Sequence, residues 1–204
     1  MTTATLPSAT IDRWAGGTSP YGVSWQKLMM WWFIISDALL FAGFLSAYGF
    51  NRLAAGAWPD RTRVFHMEFI AAMTFVLISS SATMATAVAA AQRGDRRNAA
   101  RFLLATVVGG LGFLGMQAYE WAGIIGAGAT LTQNPWGPAG FGAFFFLITG
   151  FHGTHVAIGV AILLATWLRT RAGRTGAPGV ELAGLYWHFV DLVWVFVFGV
   201  FYLI

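Results

Sequence analysis

Five apolar stretches, each long enough to cross a bilayer as a helix, dominate this chain: about 28–50, 69–91, 102–125, 141–168 and 182–204. In hydrocarbon every backbone N–H and C=O must be satisfied within the chain, so stretches of this length have one solution, the α-helix. The expectation is an all-α integral membrane protein, a bundle of five transmembrane helices. Composition agrees, with 57% hydrophobic residues, 10% charged residues and a mean hydropathy of +0.65. The helices consume most of the 204 residues, leaving a polar N-terminal arm (1–26) and one five-helix domain (27–204) with short connections. No room is left in this sequence for a soluble catalytic module, so function is expected to reside in the bundle. The arm is rich in Thr, Ala, Pro and Gly and carries no apolar core with a small-residue cleavage site, so no cleavable signal peptide is expected.

Charge placement sets the expected orientation. Arg13, Lys27, Arg93, Arg96, Arg97, Arg101, Arg169, Arg171 and Arg174 fall on one side of the five spans, and Arg52, Arg61 and Arg63 on the other. Lys and Arg near span ends favour the cytoplasmic face, which predicts the N-terminus inside and the C-terminus outside. The net charge of +4 is read as this topology with contact to anionic lipid, and no nucleic-acid surface is expected. Trp25, Trp31, Trp58, Trp136, Trp167, Trp187 and Tyr202 are read as interfacial anchors. Stripes of small residues, Gly153, Ala157, Ala161 and Ala165 in the fourth span and Ser81, Ala85 and Ala89 in the second, are read as close-packing helix faces.

The absence of cysteine excludes disulfides, thiolate metal centres, iron–sulfur clusters and a cysteine-bridged copper pair. The ionisable residues inside the spans are Asp37, Glu120, His152, His155, His188 and Asp191. A carboxyl near mid-bilayer is expensive unless it is protonated, paired or wetted, so Asp37 is a functional-site hypothesis by default. His152 and His155, i and i+3 on one helical face, fall at a similar depth, which makes an acid–imidazole pair between the first and fourth spans geometrically accessible. Their bland reading is an interhelical hydrogen-bond pair. Metal binding by the three would lack a fourth ligand, and four His fall short of the set a haem–copper centre requires. No cofactor is expected to be bound by this chain. Glu120, near the outer end of the third span, reads as a hydrated interfacial acid or as a member of the intramembrane polar set. His188 and Asp191, i and i+3 near the inner end of the fifth, read as a helix lock or a lipid-headgroup contact.

Five ordered motifs carry a resemblance to a known family. They are Phe33-Ile-Ile-Ser-Asp-Ala-Leu-Leu-Phe-Ala-Gly-Phe44, Gly94-Asp-Arg96, Gln117-Ala-Tyr-Glu120, Thr149-Gly-Phe-His-Gly-Thr-His-Val156 and Tyr186-Trp-His-Phe-Val-Asp-Leu-Val-Trp194. Together they resemble subunit III of haem–copper respiratory oxidases in its five-helix form. In the first motif the family's usual acid is Glu, and here it is Asp37, one methylene shorter. The resemblance implies an accessory, non-redox subunit docked on subunit I, with subunit II, of an oxygen-reducing, proton-pumping complex of a bacterial inner membrane. It also implies bound phospholipid, support for proton uptake, haem and copper confined to the partner subunits, and no active site in this chain. The electron donor, cytochrome c or a quinol, is set on other subunits, and the five-helix form also occurs in a homologue associated with nitric oxide reduction. A reading of another class is an autonomous proton or ion carrier using Asp37 with His152 or His155. A small metalloenzyme built on the two His is a third.

Overall fold

The structure, a computed structural model, describes residues 21–203; the arm up to residue 20, including Arg13, and Ile204 lie outside the described residues. Six α-helices follow in order: α1 Trp25–Ala54, α2 Arg61–Val64, α3 Met67–Gln92, α4 Arg96–Gly126, α5 Ala139–Arg171 and α6 Ala177–Val197, the last running into a π-helical segment, Phe198–Leu203. Five helices are long and apolar enough to cross a membrane, α6 and its π-helical extension counting as one. They outrun the apolar stretches of the sequence at both ends. Helix geometry continues into the polar interface, where long basic side chains keep their charge in water while their stems cover the helix. Arg97 and Arg101 therefore sit in the first turns of α4, and Arg169 and Arg171 in the last turn of α5.

Helix starts follow local chemistry. Ser24 caps α1 by accepting from the Lys27 backbone N–H at 3.3 Å, and Asp95 caps α4 by accepting from the Asn98 N–H at 3.0 Å. Asp60, capping Thr62, sets the single turn of α2, an element absent from the sequence reading although Asp60-Arg-Thr62 carries its signal. The α3–α4 and α5–α6 reversals each use a glycine with left-handed backbone, Gly94 at φ 77° and Gly173 at φ 70°.

Helices α3, α4, α5 and α6 pack in a closed ring, α3 on α4, α4 on α5, α5 on α6 and α6 back on α3, while α1 leans on α5 and α6 from outside. Lys27 pairs with Glu181 at 2.6 Å where α1 and α6 begin, and Tyr48 stacks on Phe201 at 4.5 Å near their other ends, so the two helices run parallel. The core is filled by large side chains that reach into glycine-made space. Trp187 of α6 is fully buried, and a Cβ on Gly110 of α4 or Gly159 of α5 would meet its ring at 2.5 Å or 3.0 Å. Its indole N–H donates to Ser80 Oγ at 3.1 Å. Trp187 is thus a core residue and no interfacial anchor; glycines on two neighbouring helices and a hydroxyl on a third make room for an indole at depth. The small-residue stripes are corrected as well. Ala157, Ala161 and Ala165 are exposed, as is Ala85, and the inward face of α5 carries Phe145, Ile148, His152, Val156, Gly159 and Leu163. The stripes pack inward only at their first residues: Gly153 lies against Gln117 of α4 and Ser81 against His188 of α6, while the exposed alanines turn outward.

Candidate functional site

Asp37 is the thirteenth residue of α1's thirty and His155 the seventeenth of α5's thirty-three, so both lie at mid-helix. The carboxyl Oδ2 stands 3.3 Å from His155 Nε2, with both side chains about nine-tenths buried. Asp37 therefore faces His155 across the α1–α5 contact; of the two imidazoles left open by the sequence, His155 is the partner. The contact has ion-pair distance without the alignment of a full hydrogen bond to Oδ2.

The other side of the His155 ring fixes its chemistry. Nδ1 lies 2.8 Å from the Phe151 carbonyl oxygen, which can only accept, so Nδ1 carries a hydrogen. Nε2 is thus the ring atom turned toward the Asp37 carboxyl. Aromatic rings close the pair off: Phe151 lies at 4.6 Å and Phe41 at 5.5 Å from the imidazole, centroid to centroid. Tyr186 of α6 donates to the His155 carbonyl at 3.2 Å, tying the third helix of the contact to the same turn.

His152, one turn away, is fully buried and set against Trp194 at 5.2 Å and edge-on to Phe113 at 5.7 Å. Neither of its ring nitrogens has a hydrogen-bond partner among the described residues. It belongs to the interior of the four-helix ring, whereas Asp37 approaches from outside.

Glu120 stands apart from this pair at the far end of α4. Its Oε2 accepts from the Tyr202 hydroxyl at 3.2 Å, and its Oε1 is buried without a partner. The π-helical segment turns both Phe201 and Tyr202 inward, so the Tyr202 phenol holds one oxygen of a carboxyl that also lines a cavity at this end of the bundle. Nothing in composition or spacing signals that extra backbone twist. Its neighbour Gln117 donates to the Thr149 carbonyl at 2.6 Å, and the Trp121 indole donates to Thr149 Oγ1 at 3.1 Å, so this motif clamps α4 to α5.

His188 and Asp191 lie at mid-helix in the 27-residue span Ala177–Leu203, deeper than the sequence placed them, because the helix begins five residues before the apolar stretch. His188 Nδ1 is 2.6 Å from Ser81 Oγ of α3, and Ser81 is also beside the Asp191 carboxyl. The contact joins α6 to α3. Arg96 and Arg97 are exposed at the start of α4, and the Arg96 guanidinium lies over Gly173 of the α5–α6 reversal. Among the described residues no group of three or more His, Cys, Asp or Glu is arranged to hold a metal ion.

Comparison with known proteins matches this arrangement to one family. The family model described as cytochrome c oxidase subunit III matches residues 17–204. A cytochrome c oxidase subunit 3 of Alkalihalophilus pseudofirmus is 32% identical over 179 residues, covering 86% of this chain and 85% of that protein. One from Thermostichus vulcanus is 34% identical over 176 residues, covering 84% of each. A quinol oxidase subunit 3 of Bacillus spizizenii is 33% identical over 182 residues, covering 86% of this chain and 85% of that protein. With five helices suited to crossing a membrane and a family match over nearly its whole length, this chain is a multi-pass membrane protein that belongs to the cytochrome c oxidase subunit III family of the haem–copper oxidases.

Proposed function

We propose that this chain is the accessory, non-redox subunit III of a proton-pumping terminal oxidase, seated beside subunit I with subunit II in a bacterial inner membrane, N-terminus inside and C-terminus outside. Its 27–204 region acts as one membrane domain and the arm precedes it. The observation that carries the reading is the Asp37–His155 pair: a buried acid and imidazole at 3.3 Å, enclosed by aromatic rings, in a chain of this family. Such a pair stiffens the α1–α5 contact and keeps a proton-exchanging group at mid-membrane, which suits a subunit that stabilises its catalytic neighbour and supports its proton uptake. His152 and Glu120 complete the intramembrane polar set, His188 and Asp191 act as a structural lock, and Arg96 and Arg97 contact lipid or subunit surface at the inner face. Phospholipid is the one ligand proposed for the chain; haem and copper belong to the partners.

Cytochrome c is the proposed donor to the complex. The quinol alternative has its own support in the Bacillus spizizenii relative, which is as similar as the cytochrome c oxidase subunits. Gentle extraction through a tag on this chain, identification of the co-purifying chains and a reduced-minus-oxidised visible spectrum test the proposal together. Haem bands with a subunit I partner are expected, and the companion chains identify the donor. A colourless chain without such a partner would overturn the proposal and return the autonomous carrier as the reading to test in liposomes.

A further inference from the structure

One end of the four-helix ring is covered with arginine. The α3–α4 reversal and the opening turns of α4 bring Arg93, Arg96, Arg97 and Arg101, and the last turn of α5 with the reversal after it brings Arg169, Arg171 and Arg174. All seven are exposed. The two reversals meet, since the Arg96 guanidinium lies over Gly173, so the seven form one surface. The sides of a membrane bundle face hydrocarbon, whereas the reversals that close its end face the aqueous side. Seven positive charges here exceed the net +4 of the whole chain.

The chain offers this surface almost no counter-charge. Two acids stand at this end among the described residues, and both are engaged: Asp95 accepts from the Asn98 backbone N–H at 3.0 Å and from its side chain at 2.6 Å, and Glu181 pairs with Lys27 at 2.6 Å. None of the seven arginines makes an ion pair among the described residues. Arg101 bonds to Asn98 at 3.4 Å and Arg171 lies over Trp167 at 5.0 Å, which leaves Arg93, Arg97, Arg169 and Arg174 without an ion-pair or side-chain hydrogen-bond partner among the described residues. The arm up to residue 20 holds one acid, Asp12, beside one base, Arg13, so a matching array of negative charge has to come from another molecule. A second copy is no candidate, because it brings the same positive end.

Exposed guanidinium forks spread over two reversals suit an extended row of carboxylates, each taken through two parallel N–H bonds, whereas a compact anion is held by an enclosing pocket. We propose that this end of the bundle is a docking surface for an acidic extramembrane segment of a companion chain, with its carboxylates taken by Arg93, Arg97 and Arg174. Arg96, set over Gly173, holds the two reversals together beneath it. The inference rests on the chain being a subunit of a larger complex, and it deepens the contact proposed above for Arg96 and Arg97 by giving the partner's chemistry. Exposed pairs of this kind are weak one by one, so the surface acts as an array that steers the partner and fixes its orientation.

The test uses the purified complex carrying Arg97→Lys, a change that keeps the positive charge and gives position 97 an amine. A zero-length carbodiimide joins that amine to a carboxylate in direct contact, and peptide mass spectrometry locates the carboxylate. The expected product links position 97 to an extramembrane stretch rich in Asp and Glu on a co-purifying subunit. Its yield is expected to fall about fivefold when Arg93→Gln and Arg174→Gln are added, and by about the same factor between ~0.05 M and ~0.5 M salt. Because Arg97→Lys alone retains the charge that sets orientation, the salt series keeps the test decisive if the Gln variants fail to assemble. No protein product, a product on an isolated carboxyl in an otherwise uncharged stretch, or a yield unchanged by salt and by the Gln variants would overturn the docking surface. A product with the carboxyl of an anionic phospholipid in place of a peptide would overturn it in favour of a lipid contact. The haem spectrum and the co-purifying subunits of the same sample report separately on the subunit assignment.

Discussion

Removing His155 while leaving Asp37 in place is the sharpest perturbation of this bundle. Asp37 is 8% exposed, His155 stands 3.3 Å from it, and its Oδ2 is buried without a hydrogen-bond donor among the described residues. His155→Leu therefore strands a buried carboxyl, and breaking a buried pair from one side costs about 3–5 kcal/mol. The reverse change is cheaper. In Asp37→Leu the imidazole keeps its Nδ1–H bond to the Phe151 carbonyl, so about 1–3 kcal/mol is expected, the cost of one polar atom left without its partner. The double variant Asp37→Leu/His155→Leu removes both polar groups together and is expected within about 1 kcal/mol of wild type, since an apolar pair of similar volume replaces a buried ion pair at little cost. Reversible unfolding of the purified chain in mixed detergent–SDS micelles, followed by helical circular dichroism, gives all four free energies and hence the coupling between the sites. Additive single-variant costs, or a His155→Leu cost below about 1 kcal/mol, would refute the argument that the two groups are coupled across a buried contact. His152→Leu serves as the contrast: it has no hydrogen-bond partner to strand, so it is not expected to couple to Asp37.

Gly110→Ala places a methyl group into the Trp187 ring and is expected to destabilise the bundle by about 1–3 kcal/mol, whereas Gly115→Ala, with nothing within 4 Å, is expected to be neutral or stabilising in the same unfolding assay. Asp95 is held below the usual carboxylate value of 3.8 first by the Asn98 backbone N–H and then by the Asn98 side chain. Its folded value is the lower one, so the stabilisation is fully present above 3.8 and is lost as pH falls through the folded value; Asp95→Asn should flatten the acid limb of stability against pH and leave the neutral region unchanged in slope. Arg96→Ala/Arg97→Ala is expected to reduce bound anionic lipid and subunit retention in the purified complex, read by lipid analysis and gel densitometry; unchanged values for both would rule that contact out.

Gly173 shows how local and distant demands meet at one residue. Its left-handed backbone is readable from an Arg-Ala-Gly-Arg turn after a helical run, but the Arg96 guanidinium above it comes from a segment 77 residues earlier in the sequence. The same division runs through the site. That Asp37, His152 and His155 needed an explanation followed from their chemistry and depth alone, since hydrocarbon penalises any ionisable group regardless of its neighbours. Which imidazole Asp37 meets did not follow, because His152 and His155 lie only about 60° apart around α5, and only the packing of α1 against α5 and α6 decides which of them faces outward to the acid.

The number and rough extent of the membrane helices and the ionisable set were determined by sequence, because each depends on the solvent and on chemistry within a few residues. Tertiary structure alone decided that Trp187 is core, that the alanine stripes face outward, that a π-helical turn aims Tyr202 at Glu120, and that an aromatic cavity opens beside that carboxyl. Each of these depends on the rotation of one helix about its own axis relative to another. Such rotations are set by the interlocking of bulky side chains with glycine gaps on different helices, a matching that no single stretch of sequence contains.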